Sequence, residues 1–318
     1  MPKGWRARCS EEDFIRMCRT MAVPEIAKAL SLQPSKVYER KRNLQKRLGV
    51  SLAHVETQNQ EYNAIRSIEI KDGTVIVGND AHYWPDNIPT MHRAMLALCK
   101  LLKPAVVIAN GDMFDGSSIS RFPSIGWEKS PQVQQELEAV QDRMDEIFKA
   151  SRNAQHYWTA GNHDLRFESR IANTLPQYRG VKGIHLKDHI QGWQPCWAVE
   201  INRGTPGWTE VRHREKGGVH AAYRNTVEAG VTVVTGHDHR ADVVSYTDRR
   251  GRRYGVRTGM MAETPLGGQF VDYLEARRIN WQSAIAVLTY RDGNLLYPEL
   301  CLKAEPGLVE WRGEYLEV

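Results

Sequence analysis

The sequence predicts an α/β fold preceded by a small all-helical domain, and three observations lead there. Five hydrophobic runs each end on a polar tip carrying Asp, Asn or His. Amphipathic helical stretches separate the earlier runs, which is the alternation of an α/β protein. The first fifty residues differ from the rest in both rhythm and charge.

Residues 1–50 read as three short helices. Glu11–Met21 places Phe14, Ile15, Cys18 and Met21 on one helical face. Pro24 suits the first turn of a second helix, VPEIAKAL. After SLQP, Ser35 is the expected N-cap of a third helix ending at Gly49, with Val37, Leu44 and Leu48 on one side. Residues 51–67 are polar and read as a linker, and residues 68–318 as the second domain. There the strands are TVIVGND (74–80), AVVIANGD (105–112), QHYWTAGNHD (155–164), WTEVRH (208–213) and VTVVTGHDH (231–239). Helices are expected over Thr90–Leu102 and Gln132–Ser151. The C-terminal part reads as hairpins, with RDGN as a turn signal.

Charge is unevenly placed. Residues 1–50 hold 12 Lys/Arg against 5 Asp/Glu, leaving 31 against 33 in the other 268 residues. A polyanionic partner is therefore to be sought at the N-terminal helices. The five cysteines, Cys9, Cys18, Cys99, Cys196 and Cys301, form no CxxC pair, which suits a reducing cytoplasm and provides no cysteine zinc site. No apolar run of about 18 residues exists, so neither a membrane span nor a signal peptide is expected.

The strand tips carry metal-ligand types in a fixed order: Asp80 and His82 (DAH), Asp112 and Asp115 (GDMFD), Asn162, His163 and Asp164 (GNHD), His213 (VRH), then His237 and His239 (GHDH). A single such dipeptide is uninformative. The order DxH, GDxxD, GNHD, a later His and GHxH across a βαβ pattern is specific. It resembles the calcineurin-like metallophosphoesterase superfamily over about residues 74–245.

That resemblance implies a β-sandwich flanked by helices, with the site at the carboxyl ends of the strands. It implies two divalent metal ions, Mn first, with Fe, Zn, Ni or Mg as alternatives. Asp80, His82 and His239 would hold one ion, Asn162, His213 and His237 the other, and Asp112 would bridge them. His163 would be the catalytic histidine and Asp164 its orienting partner. Asp115 is expected to be a structural carboxylate near the site. Where the family's fourth motif reads His-Gly, this chain has His213 followed by Arg214. His220, in GGVHAA, therefore competes for that position, with His213 preferred because it ends a strand-like run.

Cations of this kind lower the pKa of a bridging water, so that hydroxide attacks phosphorus near neutral pH. His163 would protonate the leaving oxygen. The chain lacks the GDxxDRG and GNHE forms of the protein phosphatases, and GNHD with GHxH is closer to the nuclease and phosphodiesterase branches. The N-terminal segment looks like a helix-turn-helix, as phage and prophage genomes attach to such domains. Lys36, Arg40, Lys41 and Lys46 of its recognition helix are the expected DNA contacts. Tyr83, Trp84, Trp127, Tyr157 and Trp158 offer rings for base stacking, and Arg249, Arg250, Arg252 and Arg253 a basic hairpin tip.

The reading is a cytoplasmic, dinuclear phosphoesterase acting on DNA as a phosphodiesterase or nuclease. The alternative is a phosphomonoesterase or small-molecule phosphodiesterase of the cyclic-nucleotide type, with the N-terminal helices used for homo-oligomerisation. A DNA-binding regulator with an inert phosphoesterase scaffold is disfavoured by the intact ligand set.

Overall fold

The computed structural model describes residues 9–21, 23–48, 63–122, 130–263 and 280–318. It divides into two compact units, Met1–Tyr62 and Asn63–Val318.

The first unit holds α1 (Glu11–Thr20), α2 (Val23–Ala29) and α3 (Pro34–Leu48). Ser10 caps α1 by accepting the Asp13 N–H at 3.0 Å. The third helix starts at Pro34, so Ser35 lies inside its first turn and is not the cap. Proline suits that place because it has no N–H to leave unsatisfied. Phe14, Cys18, Ile26, Ala27, Val37 and Leu44 form the core. Between α2 and α3, Ser31 takes a left-handed φ of 51°, which reverses the chain over four residues.

Arg40 departs from its expected role. Its side chain is buried, donates from Nη2 to the Cys9 carbonyl at 3.1 Å, and lies 4.0 Å from the Phe14 ring centre. Its guanidinium holds the entry to α1 instead of facing a nucleic acid. Lys36 and Lys46 are exposed and Lys41 is half-buried on the same helix.

The second unit opens with β1 (Asn63–Ile68), a strand inside the segment expected to be linker. Residues 51–62 of that expected linker lie outside the described residues. An edge strand needs little apolar content, and Ile65 is exposed, which is why the pattern reads as polar. Then follow β2 (Gly73–Gly78), α4 (Thr90–Leu102), β3 (Val106–Ala109), α5 (Val133–Ala150), β4 (Gln155–Thr159), α6 (Asp164–Thr174), β5 (Gln194–Ile201) and β6 (Thr209–Arg212). The chain continues through α7 (Ala221–Ala229), β7 (Thr232–Thr235), β8 (Ala241–Asp248) and β9 (Gly251–Thr258). It closes with β10 (Ala284–Arg291), β11 (Asn294–Leu295), β12 (Glu299–Glu305), β13 (Leu308–Trp311) and β14 (Glu314–Glu317).

The strands form one hydrogen-bonded path, β14-β13-β12-β10-β2-β3-β4-β5-β6-β7-β9-β8. Strand β5 carries the path from one half to the other. Its first residues pair with β4, and Ala198–Ile201 pair with β6 on one side and β1 on the other. Alternate residues of the two halves meet in one core. Val75, Val77, Val106 and Ile108 of β2 and β3 cluster with Val211, Val234 and Val256 of β6, β7 and β9. Period-two patterning aims every second side chain at the same face, so both halves bury theirs against each other. Helices cover the flanks: α4 packs on β2 and β10, and α7 on β7, β8 and β9. The result is a mixed α/β sheet with flanking helices. The RDGN turn joins β10 to β11, with Asp292 and Gly293 both at positive φ, as a two-residue hairpin requires.

Three of the expected stacking rings are buried, while three of the four hairpin arginines stay at the surface. Tyr83, Tyr157 and Trp158 are buried in the core and offer no ring to a base, and Trp127 lies outside the described residues. At the basic hairpin tip, Arg253 is buried and bound to Asp248, leaving Arg249, Arg250 and Arg252 at the surface. Among the described residues no helix is long and apolar enough to cross a membrane.

Candidate metal centre

Parallel pairing of β2, β3 and β4, and of β6 and β7, sends their carboxyl ends to the same edge. The chain turns sharply there. Asp80 (φ 48°), His82 (φ 40°), Asp112 (φ 52°), His237 (φ 71°) and His239 (φ 57°) all take left-handed backbone. For residues with a Cβ this conformation costs roughly 1–2 kcal/mol each. Five such residues at one sheet edge mark a place where side-chain direction outweighs backbone ease. Two glycines make the approach feasible. A Cβ on Gly111, itself at φ +84°, would collide with the His213 ring, and one on Gly161 with the Asp112 carboxylate.

The side chains converge in two groups. Ligand atoms of Asp80, His82 and His239 lie within 4.8 Å of one another, and so do those of Asp112, His213 and His237. Asp80 Oδ1 is 3.3 Å from His239 Nε2, and Asp112 Oδ2 is 3.1 Å from His213 Nε2. The rings of His82 and His239 are 5.6 Å apart, those of His213 and His237 5.4 Å. Asp112 belongs to the second group, and its Oδ1 accepts the His163 backbone N–H at 2.7 Å. Burial alone would raise its pKa, but the charges of His213, His163 and His82 hold it well below the usual carboxylate range. Burial likewise opposes charge on His213, yet Asp112, Asp80 and the bond to Asn110 push its pKa up to about 10. The site thus calls for positive charge at its centre.

Second contacts set which ring nitrogen faces inward. His213 Nδ1 donates to the Asn110 carbonyl at 2.8 Å, leaving Nε2 for the interior. His82 Nδ1 is 3.0 Å from Asp115 Oδ1, which turns Nε2 towards Asp80, 3.9 Å from its Oδ1. Asn162 Oδ1 is buried with no hydrogen-bond donor among the described residues. A buried amide oxygen in that position, together with three carboxylate or imidazole donors in each group, fits a divalent cation. His220, the rival of His213, is exposed at the start of α7 and is not in the group.

Asp115 also serves His163. Its Oδ1 lies 2.7 Å from His163 Nδ1, so it, and not Asp164, is the residue that orients the imidazole. Asp164 is occupied elsewhere. Its carboxylate accepts N–H bonds from Asp112, Met113, Phe114 and Gly161 and from the Trp158 indole, at 2.9–3.0 Å. As the first residue of α6 it points under the second-motif loop and fixes that loop's backbone. Burial and the Asp112 charge push the Asp164 carboxyl up to about 6 against the pull of those donors. Burial would lower the His163 pKa, but the Asp115 bond and the Asp112 charge raise it above its ordinary value. On its other side, His163 Nε2 is 3.1 Å from Arg166 Nη2. Arg166 is not among the sequence-predicted site residues, although its spacing of three from His163 at a helix start is a signal that could have found it.

Arg257 is a further contributor. It donates to Asp238 within GHDH, to Asp242 and to the Gly218 carbonyl, tying the loop between His237 and His239 to β8 and β9. The remaining described histidines are local. His92 and His156 are buried in the core, and His185 and His189 bond to nearby backbone.

Residues 73–206 match the family model "Calcineurin-like phosphoesterase". The Gene 54 proteins of Mycobacterium phages D29 and L5 are 28% and 27% identical over 210 and 209 residues, in each case 62% of this chain and 81% of theirs. Among solved structures, zinc-complexed Vps29 from Entamoeba histolytica aligns with a TM-score of 0.40 and 14% identity, covering 77% of this chain and 98% of its own.

Proposed function

We infer, for a chain whose residues 73–206 belong to the calcineurin-like phosphoesterases, a DNA-directed phosphodiesterase or nuclease that works with two divalent metal ions. Asp80, His82 and His239 would hold one ion, and Asn162, His213 and His237 the other, with Asp112 shared. Once bound, such ions supply an activated water and offset the charge on the phosphoryl oxygens. Mn is the first choice, because mixed imidazole, carboxylate and amide donors suit it, with Fe, Zn, Ni and Mg as alternatives.

The chain's own residues complete the chemistry. His163 carries its ring proton at Nδ1, against Asp115, and its Nε2 accepts from Arg166; when substrate draws Arg166 away, Nε2 would take up a second proton and pass it to the leaving oxygen of the ester. Asp115 keeps that ring and the His82 ring in register from one carboxylate. Asp164 fixes the backbone that presents Asp112.

The observation that carries the DNA half is the first unit. It joins α2 to α3 through a four-residue turn and exposes Lys36, Arg42 and Lys46 along α3. The test is a parallel assay of the Mn-loaded full chain on DNA, RNA, small aryl diesters, cyclic nucleotides and monoesters. Cleavage of DNA at higher kcat/KM than any small ester supports the reading. Turnover of cyclic nucleotides or monoesters with DNA left intact would replace it with the small-molecule alternative.

A further inference from the structure

Beside the metal ligands, the first turns of α6 border a cavity of about 520 Å³ that Asn162 lines from the side of the site. Arg121, Arg166, Arg170 and Arg214 line it as well, and among the described residues no Asp or Glu does. Arg166 lies beside a carboxylate, with Nη1 3.9 Å from Asp115 Oδ1; the other three do not. Several other arginines of this unit are ion-paired: Arg212 with Glu210 and Glu215, Arg224 with Glu228, Arg312 with Glu299. Among the described residues, Arg121, Arg170 and Arg214 form no ion pair and all three are exposed. Like charges gathered in one concavity repel one another, so the arrangement costs stability unless an anion occupies it.

The spacing says what kind of anion. Arg166 stands against His163, with Nη2 3.1 Å from its Nε2, where the reacting phosphate must come. Arg170 follows one helical turn later, about 6 Å along the axis of α6. That is of the order of the separation between successive phosphates of a nucleic-acid strand. Phe122 lines the same cavity with 63% of its surface exposed, and the Arg121 guanidinium lies 4.9 Å from its ring centre. An exposed ring with a cation over it is a platform on which an unpaired base can stack.

We propose that this cavity seats a single strand of nucleic acid next to the bond being cut, Arg166 holding the scissile phosphate and Arg170, Arg214 and Arg121 the phosphates that flank it. This rests on the phosphodiesterase reading above and narrows its substrate to a strand longer than one nucleotide.

The test uses the full chain carrying Arg121→Ala and Arg170→Ala together, two exposed residues outside the metal and proton-transfer groups. Binding of fluorescent single-stranded oligonucleotides of one to six nucleotides is measured by anisotropy, alongside cleavage of a single-stranded oligonucleotide and of a small aryl phosphodiester. In the wild type, affinity should climb with length. In the variant that climb should flatten, the oligonucleotide KM should rise about tenfold or more, and the salt slope should fall by about 0.7 for each phosphate left without its arginine. Turnover of the aryl diester should stay within about twofold, since neither residue touches the reacting group. An unchanged length dependence and salt slope in the variant would overturn the cavity assignment while leaving DNA cleavage as a function. Length-dependent binding that the variant loses, without cleavage of any nucleic acid, would instead refute the nuclease reading and leave the cavity as a strand-binding site. Absence of both length dependence and cleavage in the wild type would sink the two together.

Discussion

Asp115 Oδ1 lies 2.7 Å from His163 Nδ1 and 3.0 Å from His82 Nδ1, so a single carboxylate oxygen serves both the proposed proton-transfer histidine and a proposed metal ligand. Burial alone would raise the Asp115 pKa, but these two imidazoles hold it below the usual carboxylate range. It therefore stays charged and can orient both rings.

The two acidic neighbours of this site should fail differently. Asp115→Asn leaves an amide that cannot accept from both imidazoles with full charge, and turnover should fall about 10–100-fold. The loss should be larger on DNA than on an aryl diester, whose leaving group hardly needs a proton. Asp164→Asn should instead unfold at lower temperature, because an amide nitrogen would face N–H donors that now bond to a carboxylate oxygen. Kinetics on the two substrates and thermal melts separate the cases. Equal leaving-group sensitivity in both variants would mean that Asp115 does not act through His163.

Stability should fall on mild acidification through His156. This side chain is buried between Phe148 and Trp193, and burial pushes its pKa down to about 4, with a bond to Ala154 acting against it. Unfolded, the same imidazole titrates near 6.5. Between those values the unfolded state binds more protons, so stability rises with pH and is lost as pH falls from about 6.5 to 4. His156→Gln should flatten the dependence of unfolding free energy on pH in that window by about 2 kcal/mol. A wild-type profile equally steep in the variant would show that other groups govern acid unfolding.

The basic residues of α3 divide between two tasks. Arg40→Ala should destabilise the first unit by about 1–3 kcal/mol, since it removes charged bonds to the Cys9 and Ser10 carbonyls and packing on Phe14. Alanine at Lys36, Lys41 and Lys46 should leave its melting almost unchanged. The same triple change should weaken duplex DNA binding and lower the salt slope by roughly 0.9 for each phosphate no longer neutralised. Unaltered affinity and slope would point to the oligomerisation role for these helices.

Much of this was legible in the sequence because the strand tips carry their own signal. A β-branched run such as TVIVGND needs no distant information to be read as a buried strand ending in ligands. The candidate ligands Asp80, His82, Asp112, His213, His237 and His239 sit at or just beyond those tips, and the family resemblance supplies their proposed roles. The partner of His163 did not, since the relationship spans 48 residues and the adjacent Asp164 looked the nearer candidate. Helix geometry decides it, because Asp164 opens α6 and turns towards the second-motif backbone. Arg40 was misplaced for a similar reason. A basic helix reads as uniformly solvated until an apolar neighbour such as Phe14 draws one stem inward. Strand β5 does not read as a strand in the sequence, because Pro195 and exposed Trp197 interrupt its alternation, although its second half is wholly buried.

The central claim is that two divalent ions share Asp112. It is tested most directly by the metal content of the Mn-reconstituted chain, measured by mass spectrometry after removal of free metal. The wild type should hold close to two ions per chain. Asp112→Ala should hold clearly fewer and show no phosphodiester turnover, since without that carboxylate the two groups of ligands lose the charge that lets cations sit close together. Two ions per chain and normal turnover in Asp112→Ala would contradict the account.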